Sequence, residues 1–233
     1  MLRYAIMGVL GLVASNAWAQ QAPPPAGVPA PASPPASTPP KAVVPMEEPQ
    51  PGDHWTYEVR DEITGKISAT RENVITEVTP KDISVRFKVV GTTNGGMNIY
   101  DRSWNLLSSG PWRYTPNDGG TGIRAPLTVG KSWTFQSNNV NSANGNVWKL
   151  SGTSKVVAEE AVTTKAGTFD TFKIETTSST RNVNDPNAKN EITSQTWYAP
   201  AIDHWVKRIF VSRTDKHLRQ NNTFELTEYG RKQ

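Results

Sequence analysis

The stretch VVAEEAVTTKAGTFDTFKIE, residues 156–175, decides the fold of this chain. It predicts a β-hairpin whose tight turn spans Lys165–Thr168. After the turn, apolar Phe172 and Ile174 alternate with polar residues, which is the period of a strand with one buried face. Gly167 stands where the turn requires a positive φ, a conformation that glycine adopts without steric cost. The hairpin therefore indicates a domain built from long antiparallel strands.

The same alternation recurs on both sides of the hairpin, and no stretch has a convincing helical period. Turn residues such as Thr64-Gly65 and Asn94-Gly95 separate the apolar runs at the spacing of a meander. Residues 108–124 are the exception, because their glycine and proline content predicts one long irregular loop. We therefore expect an all-β fold, an antiparallel meander of about ten strands that forms a curved sheet or a partly closed β-barrel.

Two segments share the pattern Gly-x-x-Trp-Thr-aromatic, residues 52–57 and residues 130–135. Trp55 of the first segment corresponds to Trp133 of the second. One interpretation is a duplication that produced two related β-halves. The other is a chance similarity between two strand starts, and the sequence leaves both open.

Residues 1–19 have the features of a secretory signal peptide. Arg3 precedes a short apolar run, and the small-x-small ending predicts cleavage after Ala19. Residues 20–50 hold most of the 18 prolines and lack aromatic side chains, which predicts a disordered Pro/Ala-rich linker. This linker is either a spacer or a passive tail. Residues 51–233 remain as a single all-β domain, and we expect a periplasmic protein, with secretion as the alternative.

Cysteine content and charge limit the kinds of anchor and binding partner that this chain is expected to have. The chain has no cysteine, so neither a lipid anchor nor a disulfide is expected, and no later apolar run approaches the ~20 residues of a membrane span. The net charge is +4, and basic residues such as Lys207, Arg208 and Arg213 crowd the C-terminal region. We interpret them as solvated charges that block pairing at an edge strand. Export also argues against binding to nucleic acid.

Four motifs follow one another in the second half of the chain: Gly130-Lys131-Ser132-Trp133, Glu160–Glu175, Trp197-Tyr198-Ala199-Pro200 and Val206-Lys207-Arg208. In this order they resemble a family of exported bacterial all-β proteins of unknown function, of the DUF type and TapB-like. The resemblance covers residues 100–229 and implies a β-barrel-like domain with no catalytic residues. Where the family often has a glycine before Val-Lys-Arg, this chain has Asp203-His204-Trp205. The motif residues expected to be structural are Gly130, Trp133, Gly167, Phe169, Phe172, Trp197, Tyr198 and Pro200.

No motif for catalysis stands out. The chain has no cysteine and no Gly-x-Ser-x-Gly, and the glycine-rich residues 118–122 lack the lysine and helix of a phosphate loop. His54 and His204 each follow an aspartate and precede a tryptophan, which would suit a metal or acid–base site if the two strand starts were neighbours. Adjacent side chains point to opposite faces of a strand, so surface histidines are the favoured interpretation. We predict no catalytic residue, metal or cofactor.

Aromatic side chains are the remaining candidates for a binding site. Of the eight tryptophans, most fall in predicted strands and are expected in the core. Trp104, Trp112 and Tyr114 lie in or beside the predicted loop, where burial is less assured. Exposed aromatics on loops stack well on sugars and partner surfaces, so we predict ligand binding by these three residues. Folding of the loop over the barrel mouth is the alternative.

The sequence therefore favours a non-enzymatic exported β-domain that binds an envelope component, a glycan or an apolar ligand. A hydrolase or carbohydrate-active enzyme with carboxylates not recognisable in the sequence is one alternative, and a structural or assembly factor of the cell envelope is another. A lined apolar cavity would support the first hypothesis. A cleft with two facing carboxylates would support the second, and a filled core the third.

Overall fold

A computed structural model describes residues 45–116 and 120–231. The predicted signal peptide and most of the predicted linker lie outside the described residues. A three-residue 3-10 turn, Pro200–Ile202, joins the tenth strand to the eleventh. The strands in chain order are β1 (His54–Asp61), β2 (Lys66–Val78), β3 (Asp82–Val89), β4 (Gly95–Asp101), β5 (Leu106–Ser109), β6 (Trp112–Pro116), β7 (Ser132–Asn141), β8 (Val147–Thr164), β9 (Gly167–Asn182), β10 (Lys189–Ala199), β11 (His204–Thr214) and β12 (His217–Gly230).

The strands form a closed barrel. Each strand pairs antiparallel with the next along the chain, and β12 pairs with β1 from Gly230 opposite His54 to Asn222 opposite Asp61. The predicted all-β antiparallel meander is confirmed, with twelve strands in place of about ten, and of the two predicted forms the chain adopts the β-barrel, which is fully closed. Closure leaves no edge among the described strands, so the predicted edge-blocking role of the basic residues on β11 is wrong.

β5 and β6 are the two strands that the sequence pattern did not predict. They occupy part of the predicted irregular loop, and β6 pairs with β7, Trp112 lying opposite Asn141 and Tyr114 opposite Asn139. Along β6 half-buried and exposed residues alternate, as expected of a strand with one face inward. Both strands are short, and the surrounding glycines and prolines hid this alternation. The prediction of one continuous loop over residues 108–124 is therefore wrong.

The fold-deciding hairpin is the longest ribbon of the barrel. β8 and β9 pair without interruption from Trp148 opposite Asn182 to Thr164 opposite Gly167, apart from one bulge. Gly167 has a φ of 144°, in the region that favours glycine, as the turn prediction requires. The tip reaches β1, where Lys165 Nζ lies 2.7 Å from a Glu58 carboxylate oxygen. The hairpin thus contributes a wall of the barrel and a contact with the first strand.

The two repeated segments have matching backbone geometry. Gly52 and Gly130 have φ values of 95° and 93°. The Gly52 N–H donates to the Ile75 carbonyl at 2.8 Å, and the Gly130 N–H donates to the Val156 carbonyl at 2.8 Å. Each segment opens a run of six strands, β1–β6 and β7–β12. This equivalence is what the duplication interpretation expects, and it applies to the start of each half.

The interior is packed in two apolar clusters. The larger contains Trp55 and Tyr57 of β1 with residues of β2, β3, β11 and β12, and the smaller surrounds Trp133 and Phe135 of β7. Met46, which lies within the predicted linker, is 1% exposed, and its N–H donates to the Ala201 carbonyl at 2.7 Å. Residues just before β1 therefore pack against the barrel. No helix in the described ranges is long and apolar enough to cross a membrane.

Candidate functional site

The candidate site is a cavity of about 290 Å³ in the barrel, lined by strands β1 to β5 and β10 to β12. Large apolar clefts with a few converging polar groups are the usual form of small-ligand sites. No aspartate or glutamate belongs to this lining within the described ranges. Its polar side chains include Arg71, Asn73, His204 and Arg208. Its aromatic side chains are Trp55, Tyr100, Trp104, Tyr198, Trp205 and Phe224.

His204 lies in the middle of the aromatic wall. Its ring centroid is 4.4 Å from that of Trp55 and 4.6 Å from that of Trp104. Burial among these rings, followed by the positive charge of Arg208, lowers the pKa of His204 to about 3. The imidazole is therefore neutral at physiological pH and acts as a packing surface with hydrogen-bonding capacity.

Asp203 links Tyr198 of β10 to Trp104, which lies between β4 and β5. Its carboxylate accepts hydrogen bonds from the Tyr198 hydroxyl and, at 3.0 Å, from Trp104 Nε1. Burial raises the pKa of Asp203, although these two donors act in the opposite direction. Trp104 and Asp203 both adopt left-handed backbone conformations, with φ values of 61° and 44°. Such conformations cost about 1–3 kcal/mol in a non-glycine residue, so the surrounding contacts hold Trp104 in place.

Two arginines line the cavity without a carboxylate partner. Neither Arg71 nor Arg208 forms an ion pair with any described residue. The Arg208 guanidinium donates through Nε to Thr196 Oγ1 at 3.1 Å and lies 4.7 Å from the Trp205 ring centroid. The Arg71 guanidinium donates to Asn73 Oδ1 at 3.1 Å. Both charges are therefore held by neutral groups alone.

The pKa values of Arg208 and Tyr57 show the effect of burying charged and polar groups beside the cavity. Burial lowers the pKa of Arg208, and the nearby charge of Arg71 lowers it further, while two phenols act against this shift. Burial raises the pKa of Tyr57, which donates its hydroxyl to the Trp205 carbonyl at 2.8 Å. The phenol therefore remains neutral and cannot compensate the arginine charge. The cavity carries a net positive charge from its lining.

A segment between β6 and β7 completes the lining. Gly122 donates its N–H to Asn105 Oδ1, and Ile123 donates its N–H to the Ser103 carbonyl at 2.7 Å. Asn105 is itself held by the Asp101 carboxylate, which accepts its amide at 2.8 Å. A side chain at Gly122 would collide with the Ser103 carbonyl oxygen. The absence of a side chain at this position lets the segment pack closely on the turn between β4 and β5.

The three aromatic residues predicted to bind ligand do not form one group. Trp104 lines the main cavity and is half-buried. Tyr114 lines a separate cavity of about 200 Å³ with Leu106 and Leu150, and burial raises its pKa. Trp112 is half-buried on β6. The structure thus places Trp104 at the candidate site and the other two on the neighbouring strand β6.

The residues predicted to be structural lie mostly in the interior. Trp133 and Tyr198 belong to the smaller core cluster, and Phe172 packs against that cluster. Phe169 is 2% exposed and contacts the ring of Tyr229. Trp197 is buried with Lys173 and Lys207 close to its ring. Gly130 has the positive φ described above, and Pro200 begins the 3-10 turn.

The most informative residues of the cavity carry no recognisable signal in the sequence. The prediction of a surface position for His204 is wrong, because its ring packs at an angle against Trp55 inside the barrel. His54 Nδ1 lies 3.3 Å from the Gly52 carbonyl oxygen instead. The described residues contain no group of three or more His, Asp or Glu side chains placed to hold a metal ion. Arg71 and Arg208 had no local signal, because barrel closure is what brings β2 and β11 to one cavity.

The fold and cavity define a closed antiparallel β-barrel with an aromatic, positively charged interior. The chain is similar to a candidate lipoprotein from Parabacteroides distasonis ATCC 8503, with a TM-score of 0.51, 13% identity, and coverage of 81% of this chain and 100% of the other. It is also similar to a candidate exported protein with a YmcC-like fold from Bacteroides fragilis NCTC 9343, with a TM-score of 0.53, 15% identity, and coverage of 78% and 97%. At these identities the likeness shows a shared fold. No family model and no curated protein matches the chain, and the TapB-like resemblance stays a prediction.

Proposed function

We propose that this protein is an exported, non-enzymatic β-barrel domain that binds a small component of the cell envelope inside its cavity. The observation that carries the proposal is the cavity of about 290 Å³ with aromatic side chains on several strands. Its volume is close to the lower end of ligand pockets, roughly 300–1,000 Å³. A small ligand with an apolar part therefore fits it better than an extended glycan.

The lining chemistry favours binding over hydrolysis. A glycosidase uses two carboxylates across a cleft, and the described lining of this cavity has none. The Asp203 carboxylate, next to His204 in the chain, already accepts hydrogen bonds from Tyr198 and Trp104. A purely structural barrel would fill its interior with side chains, which the open cavity argues against. Hydrolase and assembly-factor roles are therefore weaker proposals.

A periplasmic location is part of the same proposal. It is supported by the signal-peptide pattern of residues 1–19 and by the names of the two similar structures, which describe an exported protein and a lipoprotein. Lipid anchoring is not proposed for this chain, because it contains no cysteine. The TapB-like motif resemblance adds to the proposal of export and leaves the ligand open.

Native mass spectrometry of the full chain, purified from its own cell envelope, tests the proposal. We expect a retained small molecule that is lost in Leu106→Trp, because Leu106 lines the cavity and the larger ring would fill it. Leu218→Trp makes the same substitution at an exposed position and should keep the ligand. Circular dichroism confirms that both variants fold. Ligand-free masses for the wild-type protein, or equal retention in both variants, would contradict the proposal.

A further inference from the structure

We propose that the ligand of this cavity is an amphiphilic anion, whose carboxylate or phosphate group pairs with Arg71 and Arg208 while its apolar part packs against the aromatic wall. This inference rests on the proposed function and specifies the chemistry of its ligand. It is carried by two features of the lining, which are its unpaired cations and its rings.

The unpaired cations come first. Arg71 and Arg208 are half-buried, and withdrawing a charged group even partly from water without a counter-charge costs free energy. The hydrogen bonds of Arg71 to Asn73 and of Arg208 to Thr196 use one guanidinium nitrogen each. The remaining N–H groups of both side chains have no protein carboxylate within 4.0 Å among the described residues. Two guanidinium groups on one cavity suit an oxyanion, because each donates several hydrogen bonds in a fixed fork.

The aromatic side chains of the lining indicate that the rest of the ligand is apolar. Trp205 stacks on Tyr57 at 3.9 Å and contacts Phe224 edge-on at 6.0 Å, and Trp104 lies edge-on to Trp55 at 5.9 Å. Trp55, Trp104, Trp205 and Phe224 give the cavity an apolar lining beside the arginines. An inorganic anion would leave the apolar faces unused, whereas a short acyl or alkyl chain would cover them.

Isothermal titration of the full chain at neutral pH tests the inference with four probes that share an eight-carbon chain: octanoate, octyl phosphate, 1-octanol and octylamine. We expect the anions to bind about ten- to a hundred-fold more tightly than octanol, the range set by hydrogen bonds to charged groups. Octylammonium should bind most weakly. The ratio between octanoate and octyl phosphate then shows which headgroup chemistry the arginines prefer.

Arg208→Met removes one charge while keeping a long apolar side chain. In this variant we expect octanoate affinity to fall about ten-fold or more while octanol affinity does not fall. Arg213→Met is the matched control, because Arg213 is exposed on the same strand and outside this cavity. Arg71→Met provides a second variant if Arg208→Met fails to fold.

Equal affinity for octanoate and octanol would overturn the anion inference and leave cavity binding standing. Preference for octylammonium would also overturn it, and no binding of any probe would overturn both proposals.

Discussion

Replacing His204 by glutamine should change how the stability of this protein depends on pH. The imidazole is packed against Trp55 and Trp104, and its pKa is lowered to about 3 in the folded state. In the unfolded chain a histidine titrates near pH ~6.5. Between these two pH values the unfolded state binds a proton that the folded state does not. The free energy of unfolding therefore falls as the pH falls through this window.

The structure sets the size of the effect. Each pH unit between ~6.5 and ~3 removes at most about 1.4 kcal/mol, so His204 accounts for about 2–3 kcal/mol of lost stability by pH ~4.5. Asp203 acts in the opposite direction, because burial raises its pKa and its folded form takes up a proton more readily. Arg208 adds repulsion to a protonated imidazole. Comparing wild-type protein with His204→Gln isolates the histidine, since the other two groups are present in both.

Urea unfolding at a series of pH values from neutral to mildly acidic is the assay. We expect His204→Gln to have a shallower fall in the free energy of unfolding than the wild type, whatever its stability at neutral pH. His217→Gln is the control, because His217 is exposed at the start of β12 and its replacement should leave the slope unchanged. Parallel pH profiles for wild-type protein and His204→Gln would refute the reasoning. They would mean that the imidazole is protonated equally well in the folded state.

Two glycine substitutions test the hairpin and the barrel wall. Gly167→Val places a β-branched residue at φ 144° and should lower the free energy of unfolding by about 1–3 kcal/mol. Thr153→Val, at an exposed position of β8, is the control and should not lower it. An unchanged melting temperature for Gly167→Val would contradict the expected backbone strain. In Gly152→Ala the new Cβ would lie 2.6 Å from the Thr177 carbonyl oxygen, so we expect a loss of about 1–3 kcal/mol in chemical denaturation. Ser151→Ala on the exposed face is the control, and equal stability of the two alanine variants would disprove the clash.

The parts of the fold that the sequence predicted are those set by local patterns. The turn at Gly167 and the alternation through Phe172 and Ile174 depend on residues close in the chain, and the structure has a hairpin there. The strand count fell short because β5 and β6 have four and five residues, too few for a clear alternation. Closure itself has no local signal, since it depends on whether β1 and β12 meet.

The candidate site was largely beyond the sequence for the same reason. Arg208 looked like one of several basic residues on a solvated strand, and only the inward face of β11 in a closed barrel makes it a cavity residue. The position of Trp104 near a glycine-rich region predicts ligand binding, and the structure places it in the cavity through its hydrogen bond to Asp203, 99 positions along the chain. The same reasoning predicts ligand binding by Trp112 and Tyr114, which the structure places on β6.

The pairing of the first and last strands has a consequence for biogenesis. Thr227 Oγ1 bonds to the Thr56 carbonyl across 171 positions of sequence, and Arg231 Nε lies 2.7 Å from a carboxylate oxygen of Asp53, which is 0% exposed. A nascent chain cannot make these contacts until its final strand has emerged. Until then, the open meander has unpaired strand borders that can pair with other chains. Folding is therefore completed only at the end of chain delivery, and a chain cut just before β12 would be prone to aggregation.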